Sequence, residues 1–173
     1  MDKVNTLDNE TYLFHQTPVD LAKDLIEHIP LVEGDVVFEP FKGEGAFYDQ
    51  FPEYVNKEWC EIEEGRDYTE HTDRVDWVIT NPPFRLETDK GRVNGFYPLL
   101  DYFAGRVDKG LAFLVNDRCV SALTPRRIKL LSEKGLYLHK MVVCGVKKWR
   151  GRYYFLVFKK EPSSVLIALN KTY

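Results

Sequence analysis

The chain has 173 residues, 44% hydrophobic and 14% aromatic, which is enough apolar material for a sizeable core and too much for a disordered tail, so one domain over residues 1–173 is expected. Its longest apolar runs, residues 111–115 and 153–158, are too short to span a bilayer, and the start Met1-Asp2-Lys3-Val4-Asn5 has no apolar signal core, so a soluble, intracellular (cytoplasmic) protein is expected. The net charge of −3 hides a division: residues 1–80 hold 6 Lys/Arg and 20 Asp/Glu, residues 81–173 hold 18 and 7, and the second half is expected to offer a basic surface to phosphates.

In chain order, residues 17–29 place Leu21, Leu25, Ile26 and Ile29 at helical spacing, with Thr17 as N-cap and Pro18 at the first helical position. Residues 36–38 read as a buried strand followed by a glycine turn and a helix, residues 58–62 and 75–80 as further strands, and residues 97–107 as a helix. A strand is expected over 111–116, a helix over 125–133 closed by Gly135, and a β-hairpin from residues 138–146 and 153–159. Strands alternating with helices imply an α/β fold, a mostly parallel sheet covered on both faces, to which the final hairpin adds an antiparallel strand. Cys60, Cys119 and Cys144 are widely spaced and the four histidines show no ligand spacing, so neither a disulfide frame nor a metal site is expected.

In such a sheet ligands bind beyond the carboxyl ends of the strands. The first strand runs into FEPFKGEGAF, where Gly43 and Gly45 let backbone approach a ligand closely. Glu61 stands 18 residues beyond Gly43, a separation at which an acid can accept both hydroxyl hydrogens of a ribose. Asp67 and Tyr68 supply a carboxylate able to accept from an adenine amine and a ring able to cover its face.

The strand at 75–80 ends in Asn81-Pro82-Pro83-Phe84. Asn81 offers a side-chain carbonyl, and Pro82 offers a backbone carbonyl whose direction the Pro82-Pro83 pair restricts. Two acceptors pointing one way would draw a ring-conjugated amine toward tetrahedral geometry and free its lone pair, and Phe84 can stack on the same ring. Such a device suits attack on an electrophilic methyl group and needs no metal and no covalent intermediate.

With these pieces in order, the chain resembles the S-adenosylmethionine-dependent methyltransferases of the Rossmann-like class I type, and specifically the amino-methyltransferases that modify adenine at N6. The likeness runs from Phe14 to Phe158. FHQTPVDLA resembles the family's N-terminal cofactor segment, which implies Phe14, Gln16, Thr17 and Pro18 near the methionine part of S-adenosyl-L-methionine. EPFKGEGAF resembles its glycine loop, which implies Glu39, Pro40, Gly43, Gly45 and Phe47 around the cofactor; Glu39 stands where many members have Asp. The resemblance also implies Glu61 at the ribose, Asp67 and Tyr68 at the cofactor's adenine, Asn81 beside the cofactor, and Asn81, Pro82 and Phe84 as the catalytic set. It implies a seven-stranded sheet with the antiparallel hairpin strand, and the order of the pieces is similar to one of the family's permuted arrangements.

The family's sequence-specific members carry a target-recognition segment, and this chain leaves almost nothing to build one, which leaves specificity to a protein partner or to a second copy of the chain. Two regions are suited to hold a polynucleotide: a mobile flap at 85–95 with Arg85, Lys90 and Arg92, and the hairpin tip with Lys147, Lys148, Arg150 and Arg152 for phosphates and Trp149 to stack on a base. The expected activity is methyl transfer to the N6 amine of adenine in nucleic acid, DNA before RNA. The same tetrapeptide would also serve RNA adenine, guanine N2, cytosine N4 or a protein glutamine amide. A reading from another class is a non-catalytic, methyltransferase-shaped subunit that positions nucleic acid for an active partner.

Overall fold

The computed structural model describes residues 16–89, 91–147 and 149–163, so Phe14, Lys90, Lys148 and the apolar run at 165–169 lie outside the described residues. In chain order the elements are α1 (Val19–Ile26), β1 (Val36–Glu39), β2 (Asn56–Trp59), β3 (Val75–Thr80), β4 (Arg85–Thr88), β5 (Gly91–Asn94) and α2 (Phe96–Ala104). They are followed by β6 (Val107–Asn116), α3 (Asp117–Ser121), α4 (Pro125–Glu133), β7 (Tyr137–Cys144) and β8 (Tyr153–Lys159). The central sheet runs β2-β1-β3-β6-β8-β7. Its first four strands are parallel, and β8 is antiparallel to both β6 and β7.

The core divides by strand alternation. Phe38, Val78, Leu111, Phe113, Leu156 and Phe158 pack on one face, with Leu99, Leu100 and Phe103 of α2 and Leu131 of α4. Their sequence neighbours Val37, Trp77, Ile79, Ala112, Leu114, Phe155 and Val157 pack on the other, with Ala22, Leu25 and Ile26 of α1. β3 and β6 are therefore buried from both sides and read as continuous apolar runs.

Several boundaries move, each for a local reason. Pro18 is the last residue before α1, its carbonyl receiving Ala22 N–H at 3.0 Å, so Thr17 is not a cap; it is buried and turned toward β3. The helix expected after the glycine turn shrinks to a 3-10 turn at Tyr48–Gln50, because Phe51 is already extended (ψ 135°) ahead of Pro52. β2 closes at Trp59, where its partner β1 ends at Glu39. α2 stops at Gly105, and β6 starts four residues before the expected strand, pairing Val107 with Val75.

Among the described residues the central sheet has six strands, where seven were expected. Between β2 and β3 the chain instead makes two 3-10 turns, Ile62–Glu64 and Tyr68–Glu70, capped by Glu61 accepting from Glu63 N–H and by Asp67 accepting from Thr69 N–H. Gly65 closes the first turn in the left-handed region at φ 74°. Local carboxylates thus satisfy backbone donors that a strand would have paired with a neighbour.

Gly110 lies in the middle of β6, where a Cβ would stand 2.2 Å from the carbonyl oxygen of Phe158 and 2.6 Å from the Trp77 ring. The neighbouring strand's backbone cannot yield as a flexible side chain would. Gly110→Ala is expected to cost about 2–3 kcal/mol by overpacking, read as a lower urea midpoint at unchanged slope.

Candidate active site

The parallel strands β1, β2, β3 and β6 all end on one edge of the sheet, and a cavity of about 820 Å3 opens there, lined by the loop after β1, the turns after β2 and the tetrapeptide after β3. Of the residues singled out in the sequence, Gln16, Thr17, Glu39, Pro40, Gly43 and Phe47 line it, as do Glu61, Asp67, Tyr68, Asn81, Pro82 and Phe84. Pro18 and Gly45 do not.

Glu39 ends β1 as a carboxylic acid only 2% exposed, with an oxygen, Oε2, that has no hydrogen-bond partner among the described residues. Burial pushes this carboxyl well above the usual range; a backbone hydrogen bond from Tyr48 opposes that, and the charges of Asp49 and Glu61 add to it. Gly43, at φ 51°, aims its N–H across the cavity at Glu61 Oε2, 2.6 Å away. Gly45 acts behind the cavity: at φ 89° it makes the turn, and a Cβ there would meet the Asp49 carboxylate at 2.9 Å. Phe47 is buried and stacks on Phe155 with ring centroids 6.0 Å apart, so most of its surface serves the core. Gln16 spans the loop from the other side through a hydrogen bond to Glu44.

Glu61 accepts from two backbone donors, Gly43 at 2.6 Å and Glu63 at 3.2 Å, which fixes its carboxylate at the mouth of the cavity. Beyond it, Asp67 accepts from the backbone and hydroxyl of Thr69, both at 2.8 Å, and these bonds hold its carboxyl below the ordinary value. Tyr68 packs edge-on against Phe41, centroids 5.0 Å apart, and against Tyr102, at 5.4 Å. Two cations, Lys42 and Arg66, lie over the Trp59 ring at 3.8 and 3.9 Å from its centroid, and Lys42 also pairs with Glu64 at 2.9 Å.

On the opposite wall, Asn81 donates from Nδ2 to Thr17 Oγ1 at 3.2 Å. This bond ties the Asn81 amide to Thr17, just ahead of α1. Phe84 is half-buried and borders both halves of the core, and its ring meets Tyr153 at 6.4 Å. The segment expected as a flap is a β-hairpin: β4 pairs with β5 from Arg85↔Asn94 to Thr88↔Gly91. Its base is fixed by Gly95 N–H donating to Phe84 O at 2.9 Å, and a Cβ on Gly95 would stand 2.7 Å from Pro83 O, so only glycine fits there. Arg85 is exposed, while Arg92 is ion-paired with Glu87.

The tip between β7 and β8 does reach this edge, since Asn116↔Tyr153 is the last pair of the β6–β8 ladder and Asp117 N–H donates to Arg152 O at 3.0 Å. Lys147, Arg150 and Arg152 are exposed there. Trp149 is not a stacking platform at the tip: it is 8% exposed and packs on Tyr153 with centroids 4.5 Å apart, because the tip folds its one large apolar ring onto the core rather than into water.

Among the cavity residues not singled out in the sequence are Phe41, Ile62, Arg66 and Leu86. Ile62 is 66% exposed, the apolar residue that directly follows the ribose-spaced acid. An isolated isoleucine inside the acidic run EIEEG is the signal that would have marked it.

No family model matches the chain, and no curated protein matches it either. Among solved structures it is similar to a Listeria monocytogenes protein described as a class I S-adenosylmethionine-dependent methyltransferase, with TM-score 0.63 and 15% identity over 92% of this chain and 65% of that one. A type I restriction enzyme modification subunit from Vibrio vulnificus gives TM-score 0.63 and 16% identity over 85% of this chain and 44% of that one. The Synechocystis magnesium protoporphyrin IX methyltransferase, solved with S-adenosylmethionine bound, gives TM-score 0.58 and 13% identity over 92% and 86%. The chain therefore spans less than two thirds of the first of these proteins and under half of the second. The fold of this chain is that of the class I S-adenosylmethionine-dependent methyltransferases.

Proposed function

We propose that this protein is an S-adenosylmethionine-dependent methyltransferase acting on the N6 amine of adenine in nucleic acid. The observation that carries the reading is that Asn81, hydrogen-bonded to Thr17, and Phe84 share one cavity with Glu39, Gly43 and Glu61. The residues present fit the cofactor. Glu39 offers a buried oxygen without a partner among the described residues, suited to a cationic ammonium; Glu61 stands at the rim for ribose hydroxyls; Asp67, Tyr68 and Ile62 form a polar edge and apolar cover for a purine. When bound, the cofactor supplies an electrophilic sulfonium methyl group.

The protein's own part is positioning. Asn81 Oδ1 and the Pro82 carbonyl accept the two hydrogens of the target amine, and Phe84 holds the flat ring against its face. Held in this way, the target nitrogen would take up the methyl group that the bound cofactor supplies, releasing the thioether, and the surplus proton would leave the alkylated amine for solvent. A nucleic-acid substrate is favoured by the basic second half of the chain and by the likeness to a restriction-enzyme modification subunit. The porphyrin methyltransferase among the similar structures fits a fold that serves many substrates, so the substrate reading rests on the tetrapeptide.

Asn81→Ala is expected to leave S-adenosylmethionine affinity, measured by calorimetry, within a few-fold of wild type while lowering labelled methyl transfer to adenine-containing oligonucleotides about 100-fold or more. Equal loss of both would make Asn81 a structural residue. In the unfolded chain Glu39 ionises at its ordinary value of 4.5, while in the fold it keeps its proton to higher pH. Above that value the folded state binds more of this proton, so the contribution of Glu39 to ligand-free stability falls as pH rises. Glu39→Gln is expected to flatten this slope in thermal melts and to weaken cofactor binding at neutral pH.

A further inference from the structure

From Asn116 to Lys160 the chain carries 12 Lys/Arg and only 2 Asp/Glu. Some cations have a carboxylate partner (Lys42 with Glu64, Arg74 with Asp108, Arg92 with Glu87, Lys109 with Asp35, Lys134 with Asp101), while Lys23, Arg66, Arg85 and Lys129 are exposed without an ion pair among the described residues. Among the described residues, Arg118, Arg126, Lys147, Arg150 and Arg152 are exposed and have no ion pair.

The fold gathers these five on one edge. Arg118 follows Asp117, whose N–H binds Arg152 O, so the start of α3 and the β7–β8 tip are joined at that bond. Arg126 lies in the first turn of α4, whose neighbour Arg127 stacks on Tyr97 of α2 at 4.5 Å and donates to Ala122 O at 2.9 Å, tying that turn to the same end of the molecule. Tyr153, next to Arg152, touches Phe84 of the cavity. Unneutralised charge therefore begins beside Phe84 and continues away from it across α3 to α4.

We infer that Arg118 and Arg126 extend the tip cations Lys147, Arg150 and Arg152 into a phosphate track that carries a single-stranded polynucleotide across the carboxyl edge of the sheet, its base end at Phe84. The inference rests on the proposed nucleic-acid substrate. Point charges on separate elements follow a flexible backbone without reading bases, and a single strand reaches the cavity without the cost of extracting a paired base. The sequence pattern identifies the tip alone; Arg118 and Arg126 join it only once β6, α3 and α4 are folded.

The test measures binding of fluorescent oligo(dA), oligo(rA) and a dA·dT duplex of equal length against salt, for wild type and for Arg118→Gln/Arg126→Gln, with S-adenosylmethionine binding by calorimetry as a separate reading. Wild type is expected to bind both single strands more tightly than duplex. The double variant should lower the slope of log K against log salt by about 1.4 on single strands, with affinity near 0.1 M salt falling about 25-fold and cofactor affinity unchanged. An unchanged slope, or tighter binding of duplex, would overturn the track. Absence of cofactor binding in the wild type would overturn the methyltransferase reading and leave the salt data to decide the track by themselves.

Discussion

Everything at the candidate site depends on the parallel register of β1, β3 and β6. Because Val37 pairs with Trp77 and Val78 with Leu111, the three strands end side by side, and the residues just past them (Pro40, Asn81 and Asp117) emerge on one edge. Each strand is buried on both faces, so register is held by the packing of two core layers rather than by any polar contact at the site. The polar contacts then refine what the ladder delivers. Thr17 fixes the Asn81 amide, and Gly43 fixes the Glu61 carboxylate.

On the proposed reading, the two charge regimes of the sequence serve two different ligands. The acidic half builds the β1–β2 side of the cavity, where Glu39 and Glu61 meet a ligand expected to be cationic. The basic half builds β6, α3, α4 and the final hairpin, which flank the opposite side of Phe84. If that reading holds, a positively charged small molecule and a polyanion would occupy adjacent places without competing for the same groups.

Much of this was legible in the sequence because the informative elements are local. Glycine turns, a strand followed by two prolines and an 18-residue spacing are set by short-range chemistry, and Gly43, Glu61 and Asn81 line one cavity. What was not legible depends on tertiary contact. Thr17 reads as a helix cap by type and is instead a partner of Asn81, 64 residues away. Trp149 sits in a charged tip and reads as exposed, yet Tyr153 gives it a ring to pack on. The carboxylate-capped 3-10 turns at Glu61 and Asp67 that follow β2 leave no periodic signature in the sequence.

The central claim is that Asn81 and Phe84 present an adenine amine to a methyl donor. It is tested most directly by incubating the protein with S-adenosylmethionine carrying a deuterated methyl group and single-stranded DNA or RNA containing all four bases, then digesting to nucleosides for mass analysis. The account predicts a three-deuteron methyl mass increment on adenosine or deoxyadenosine, placed at N6 by fragmentation. Label on guanosine or cytidine alone, or no labelled nucleoside from a protein that binds the cofactor, would contradict it.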